Sequence, residues 1–266
     1  MTQASPPDSI GQDVLFTVDG GIATVLLNRP ASRNAINGRV TEALRWIVDA
    51  INQDPAISVA ILGSNTPGMF CAGADLAEIA KGGGAKFVDA QYGFAGLVRA
   101  PRAKPWIAAV DGPAMGGGFE IALACEMIVA SDRALFGLPE VKRGLMAMAG
   151  GAIRLPRLLP RALALEALLT GDPITATTAQ AYGLVNQVVD PTAVLPAALD
   201  LAKRVAANAP IALRESLSLA LSASIGDEET LWTANDAALL RVSQSEDARE
   251  GPLAFIEKRP PVWTGK

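Results

Sequence analysis

The chain has 266 residues, of which 50% are hydrophobic, 19% charged and 5% aromatic, a composition that excludes a disordered chain and supports a sizeable core. Its 23 Lys and Arg against 27 Asp and Glu leave a net charge of −4, so no basic field exists to recruit nucleic acid or anionic lipid. Histidine is absent, which removes Ser–His–Asp and Cys–His catalysis and His-ligated zinc or haem; any acid–base work falls to carboxylates, Lys, Tyr or Cys.

Residues 1–13 carry no basic segment followed by an apolar one, so they do not read as a secretory signal. Val14–Val18 and Ile22–Leu27 are β-branched runs around Asp19-Gly20-Gly21, a hairpin signal. Val40, Ala43, Leu44, Ile47, Val48 and Ile51 then recur at spacings of three and four, which predicts an amphipathic helix ending near Pro55. Val59–Gly63 predicts a buried strand, and Phe87–Arg99 a second helix. Ile107–Val110, Met127–Ala130 and Leu184–Val189 are further short apolar runs. Helical patterns cover Ala162–Thr170, Ala176–Tyr182, Ala193–Asn208, Ile211–Ala223 and Glu228–Arg241. Strands alternate with helices over the first two-thirds and give way to helices alone, an α/β pattern with parallel crossovers and a helical C-terminal region.

Two cysteines, Cys71 and Cys125, are too few for a disulfide framework or a four-thiolate zinc site, and no metal site is expected. The longest apolar tract, Trp106 to Ala130, is interrupted by Asp111, Glu120 and Glu126, unlike a membrane span. A soluble, cytoplasmic protein is the expectation.

Three segments break the ordinary pattern. Cys71-Ala72-Gly73-Ala74-Asp75 follows a strand and a Pro67-Gly68 turn; its small residues let the backbone approach another group, and Asp75 reads as the cap of a following helix. By itself it reads as a tight turn before a helix. Gly116-Gly117-Gly118-Phe119-Glu120 opens a helix with bare N–H groups, a place for negative charge, yet lacks the lysine of a P-loop and the GxGxxG spacing. Glu120 reads either as a first-turn acid complementing the helix or as a reacting group. Phe136-Gly137-Leu138-Pro139-Glu140 presents Glu140 at the end of a short strand, either as a solvated helix-start acid or as a second reacting carboxylate. Together the segments describe paired acids beside backbone donors.

The ordered set of Leu27-Asn28-Arg29-Pro30, Asn34-Ala35, Phe70–Asp75, Gly116–Glu120, Phe136–Glu140, Leu169-Thr170-Gly171 and Tyr182-Gly183-Leu184-Val185 resembles the crotonase (enoyl-CoA hydratase/isomerase) superfamily over nearly the whole chain. The resemblance implies a crotonase-type spiral of ββα units over residues 1–200 and a helical trimerisation region over 201–266. It implies homotrimers or dimers of trimers, an acyl-CoA thioester substrate, and no cofactor beyond the coenzyme A that the substrate carries. It also implies an oxyanion hole made by the N–H groups of Ala72 and Gly117. Glu120 and Glu140 would share one water and hydrate a trans-2-enoyl-CoA to a 3-hydroxyacyl-CoA, Glu140 protonating Cα and Glu120 deprotonating the water. Coenzyme A contacts are implied for Arg29, for Ala72, Gly73, Ala74, Asp75 and Leu76, for Gly117, and for Phe255 and Lys258 toward a neighbouring subunit.

Two departures from the superfamily pattern stand out. Gly144–Gly151 replaces a Pro-Gly-containing loop beside the acyl pocket, and a glycine-rich stretch at Lys81–Lys86 is expected near its rim. Enoyl-CoA isomerisation or a carnitinyl-CoA-type dehydration is the alternative reaction. A CoA-binding scaffold without catalysis is the alternative of another kind.

Overall fold

In the computed structural model, which describes residues 5–224 and 226–266, β1 (Val14–Asp19) and β2 (Ile22–Leu27) form an antiparallel hairpin in register from Val14↔Leu27 to Asp19↔Ile22. The chain crosses through α1 (Gly38–Gln53) to β3 (Val59–Ser64), which lies parallel to β2. The side chain of Asn37 caps α1 by accepting from the Val40 N–H, and the apolar stripe from Val40 to Ile51 is buried.

A short α2 (Leu76–Ala80) precedes a small hairpin of β4 (Val88–Asp89) and β5 (Gly93–Phe94). This hairpin corrects the helix expected over Phe87–Arg99. Asp89 Oδ1 accepts from the N–H groups of Gln91 and Tyr92 at 2.8 Å each, which builds a turn. Gly93, Ala95 and Gly96 then take positive φ, which a right-handed helix does not contain.

β6 (Trp106–Val110), β7 (Ala114–Met115), α3 (Gly117–Ala122), β8 (Met127–Ser131) and β9 (Leu135–Gly137) follow. Next come α4 (Gly151–Leu158), α5 (Arg161–Thr170), β10 (Ile174–Thr175), α6 (Ala176–Ala181), β11 (Gln187–Val189) and α7 (Val194–Ala206). The principal sheet has the order β1-β2-β3-β6-β8-β11, parallel throughout after the hairpin; β10-β9-β7 form a second, smaller sheet. The strand expected over Leu184–Val189 is confined to its last three residues, because the Leu184 N–H closes α6 by donating to Ala179 O.

Large side chains seal the space between the sheets and helices. Trp106, Phe70, Phe119 and Phe136 are fully buried, and the rings of Phe119 and Phe136 lie 5.2 Å apart, joining α3 to β9. Burial of each such side chain stabilises by roughly 1.5–3 kcal/mol, so the two loops that carry α3 and β9 are anchored from beneath.

The described residues fall into two compact units, divided between Leu201 and Ala202. The second unit holds α8 (Pro210–Ala223), α9 (Glu228–Ser243) and α10 (Asp247–Glu257). Arg241 on α9 pairs with Glu215 on α8 at 2.7 Å, and Trp263 Nε1 donates to Ala207 O at 2.8 Å. No helix among the described residues is long and apolar enough to cross a membrane.

Candidate active site

The first two unusual segments lie side by side. The Cys71 N–H donates to Pro113 O at 3.2 Å and the Met115 N–H to Cys71 O at 2.9 Å. Gly73 has φ 92°, and a Cβ there would stand 2.8 Å from Met115 O and 3.1 Å from Gly117 N, so only glycine fits. Asn34 fastens the same loop from its other side. It is buried, donates from Nδ2 to Ser64 Oγ at 2.7 Å and Phe70 O at 3.0 Å, and accepts the Arg29 N–H at 2.8 Å. Asn34→Ala takes the side-chain partner from the buried Phe70 carbonyl and from the Arg29 N–H, while Ser64 Oγ keeps its bonds to Thr66, and is expected to cost about 1–3 kcal/mol, measurable as a lower midpoint in urea.

Ala72 departs from expectation. Its N–H donates to Arg33 O at 3.0 Å and is therefore occupied. Beyond it, Gly73 O accepts from the Ile36 N–H at 2.8 Å and the Asp75 N–H donates to Ile36 O at 2.9 Å, a parallel bridge centred on Ala74. Successive N–H groups of extended chain alternate in direction. The Ala74 N–H consequently faces away from Ile36.

Gly117 is the first residue of α3, so its N–H has no acceptor within the helix. α3 spans six residues, too short for a large macrodipole; the donor itself is what the site offers. Gly116 before it adopts φ 55° and ψ −127°, and a Cβ on it would lie 3.1 Å from Glu140 Oε1. The corner that exposes the Gly117 N–H thus also receives the second carboxylate.

Glu120, in the first turn of α3, is 3% exposed, and its Oε1 accepts from the Gly151 N–H at 2.9 Å. Burial pushes its carboxyl up to about 7, with the charge of Glu140 adding to the rise; the Gly151 and Ala149 N–H groups and Arg154 oppose it. Glu140 sits in a 3-10 turn, Pro139–Arg143, rather than at a strand end. Burial raises its carboxyl too, and its Oε2 is buried without a hydrogen-bond partner. Both carboxyls are raised by burial, and Glu140, whose charge adds to the rise of Glu120, carries an open oxygen; such acids are suited to giving and taking protons.

Beside Glu140 lies a cavity of about 290 Å³ lined by Leu138, Val141, Met146, Ala147, Leu165 and Leu168, among others. No aromatic side chain among the described residues lines it, and Glu140 is its charged group. The Gly144–Gly151 loop thus contributes both cavity wall and the N–H groups on Glu120. Among the described side chains of residues 81–86 none lines this cavity; Lys86 packs instead against Gly38 at the start of α1.

Among the remaining candidates, Arg29 and Asp75 meet in an ion pair at 3.1 Å, and Asp75 also caps α2 by accepting from the Ala77 and Glu78 N–H groups. Leu76 is exposed. Phe255 lies on α10 and Lys258 directly after it, both exposed, in the second unit. Among the described residues no group of three or more Cys, Asp or Glu side chains is placed to hold a metal ion. Sequence reasoning passed over Asn34 as a fastener, and Ala149 and Arg154 as neighbours of Glu120. The paired glycines at 150 and 151 were the available signal for the last two.

Residues 17–266 match the family model described as enoyl-CoA hydratase/isomerase, and the chain belongs to that family, with the crotonase fold. It is 39% identical over 265 residues to the carnitinyl-CoA dehydratase of Proteus mirabilis strain HI4320, covering 97% of this chain and 100% of the relative. The crystal structure of enoyl-CoA hydratase from Mycobacterium tuberculosis H37Rv superposes with a TM-score of 0.92 at 40% identity, over 96% of this chain and 99% of that one. The carnitinyl-CoA hydratase of Mycobacterium avium does so with a TM-score of 0.78 at 42% identity, again over 96% and 99%. A hydratase or lyase acting on CoA substrates is the class these similarities support.

Proposed function

We propose that the protein catalyses the reversible hydration of an aliphatic trans-2-enoyl-CoA to the 3-hydroxyacyl-CoA. The observation that carries this reading is the pairing of two carboxylates, Glu120 and Glu140, beside the Gly116–Gly117 corner, both raised by burial. Glu120, held by the Gly151 N–H, takes a proton from a water as its oxygen bonds to C3. Glu140 delivers its proton to C2, and one proton returning across the pair restores the starting state. Charge builds meanwhile on the thioester oxygen. The N–H groups of Gly117 and Ala74, in place of Ala72, are the donors we assign to it, each contributing about 3–4 kcal/mol of transition-state stabilisation.

Dehydration of a carnitinyl-type substrate is the second reading, favoured by the names of the relatives. Its trimethylammonium group is best recognised by aromatic faces. The aliphatic lining of the cavity supports an uncharged chain instead. The same reading makes the protein a cytoplasmic enzyme that needs no cofactor of its own. It assembles as a homotrimer or hexamer, in which Phe255, 85% exposed, and Lys258 reach a neighbour's coenzyme A.

The test offers trans-2-enoyl-CoAs of increasing length, and crotonobetainyl-CoA, while following loss of the enoyl-thioester ultraviolet absorbance and identifying products. Highest kcat/KM for unbranched chains is expected. Turnover of the charged substrate alone selects the second reading, and a moved double bond without added water overturns hydration. Sedimentation gives the oligomeric state separately.

A further inference from the structure

Arg154 stands in α4, three residues beyond the Gly151 whose N–H holds Glu120. Its guanidinium folds back over that loop: Nη1 donates to Ala149 O at 3.4 Å, and a Cβ on Gly150 would collide with the same nitrogen. Nη2 donates to the carbonyl of Val98, in the turn after β5. One half-buried side chain therefore ties together two segments more than fifty residues apart in sequence, and it does so directly beneath the turn on which Glu120 rests. The neighbouring Arg102 pairs with Glu126 at 3.0 Å and donates to the Ala124 carbonyl, whereas both hydrogen bonds of Arg154 described above go to backbone carbonyls.

We infer that Arg154 is a positioning residue for the reaction, fixing the Ala149–Gly151 turn so that its N–H groups hold Glu120 in one orientation toward the reacting water. This rests on Glu120 being an acid–base group. The charge of Arg154 has a second effect. Glu120 faces Glu140 from the 3-10 turn, the Ala149 and Gly151 N–H groups, and Arg154 from α4. Arg154 is itself surrounded by Arg102, Glu120, Cys125 and Glu126. Removing the guanidinium removes one of the influences that favour the ionised Glu120, so the group titrates at higher pH.

The test compares Arg154→Met and Arg154→Lys, in wild-type and Glu120→Gln backgrounds, on an enoyl-CoA that the parent hydrates. Arg154→Met is expected to lower kcat on the order of 10–100-fold with KM little changed, and to move the limb of the pH–rate profile set by Glu120 upward. Arg154→Lys keeps the charge without the fork, so the limb returns toward the parent while kcat stays low. In the Glu120→Gln background either substitution should add little to the residual loss. A folded Arg154→Met protein with parental kcat and pH profile overturns the inference. So does an equal loss in both backgrounds, the mark of a purely structural role. Should Arg154→Met fail to fold, the Arg154→Lys comparison in the two backgrounds decides on the same criterion. Parental turnover in Glu120→Gln alone would instead refute the role of Glu120, a failure distinguishable from that of Arg154.

Discussion

Glu120→Gln and Glu140→Gln are each expected to lower kcat by about 10²–10⁴-fold while leaving the fold intact. Glutamine is nearly isosteric and keeps an oxygen for the Gly151 N–H, so the hydrogen bond at 2.9 Å survives and only the exchangeable proton is lost. Stability carries an independent signature. The carboxyl of Glu120 is raised from 4.5 to about 7 in the folded protein, so the folded state holds its proton more tightly than the unfolded chain does. Its contribution to stability is complete below pH 4.5 and is lost as pH rises through about 7. Glu120→Gln should remove that slope from a series of urea titrations between these limits and should melt no lower than the parent near pH 8. Near-parental turnover by either Gln variant would sink the paired-acid mechanism.

Gly73→Ala is the second substitution with a large expected effect, because it acts on the donors without touching an acid. Its Cβ would meet Met115 O at 2.8 Å and Gly117 N at 3.1 Å, in a backbone conformation (φ 92°) that alanine adopts only with strain. The two loops must separate, and donors displaced from the thioester oxygen should cost on the order of 10²–10³ in kcat. A stability loss of about 1–3 kcal/mol should accompany it. Val18→Ala, on an exposed side chain of β1 outside the candidate site, supplies a comparison expected to retain the fold and turnover within a few fold. A folded Gly73→Ala protein that hydrates at the parental rate would remove these loops from the chemistry.

The parts of the molecule legible in the sequence are those whose cause is local. The period of apolar residues from Val40 to Ile51 placed α1, and Asp19-Gly20-Gly21 between β-branched runs placed the first hairpin. Over Phe87–Arg99 the apolar spacing suits a helix, but left-handed residues and the Asp89 side chain impose turns, and apolar spacing does not register either. The glycine-bearing segments marked where two loops meet, yet not which N–H in the Ala72–Asp75 run stays open. That choice depends on Arg33 and Ile36, roughly forty residues earlier, whose backbone groups take the Ala72 and Asp75 N–H groups. The elevated proton affinity of Glu120 is likewise written in burial and in the Gly151 contact, neither of which a linear reading contains.

The division of labour between backbone and side chains has a consequence for how such a protein diverges. In the proposed mechanism, replacing Ala74 by any residue other than proline leaves its N–H in the chain, so the electrophilic half resists point substitution unless a shaping glycine is lost. The cavity wall, by contrast, is made of Val141, Met146, Ala147, Leu165 and Leu168, each free to change size one codon at a time. On that proposal, substrate range and chemistry are inherited through different parts of the sequence. A lineage can drift in the acyl group it accepts while the carbonyl-activating frame passes on unaltered.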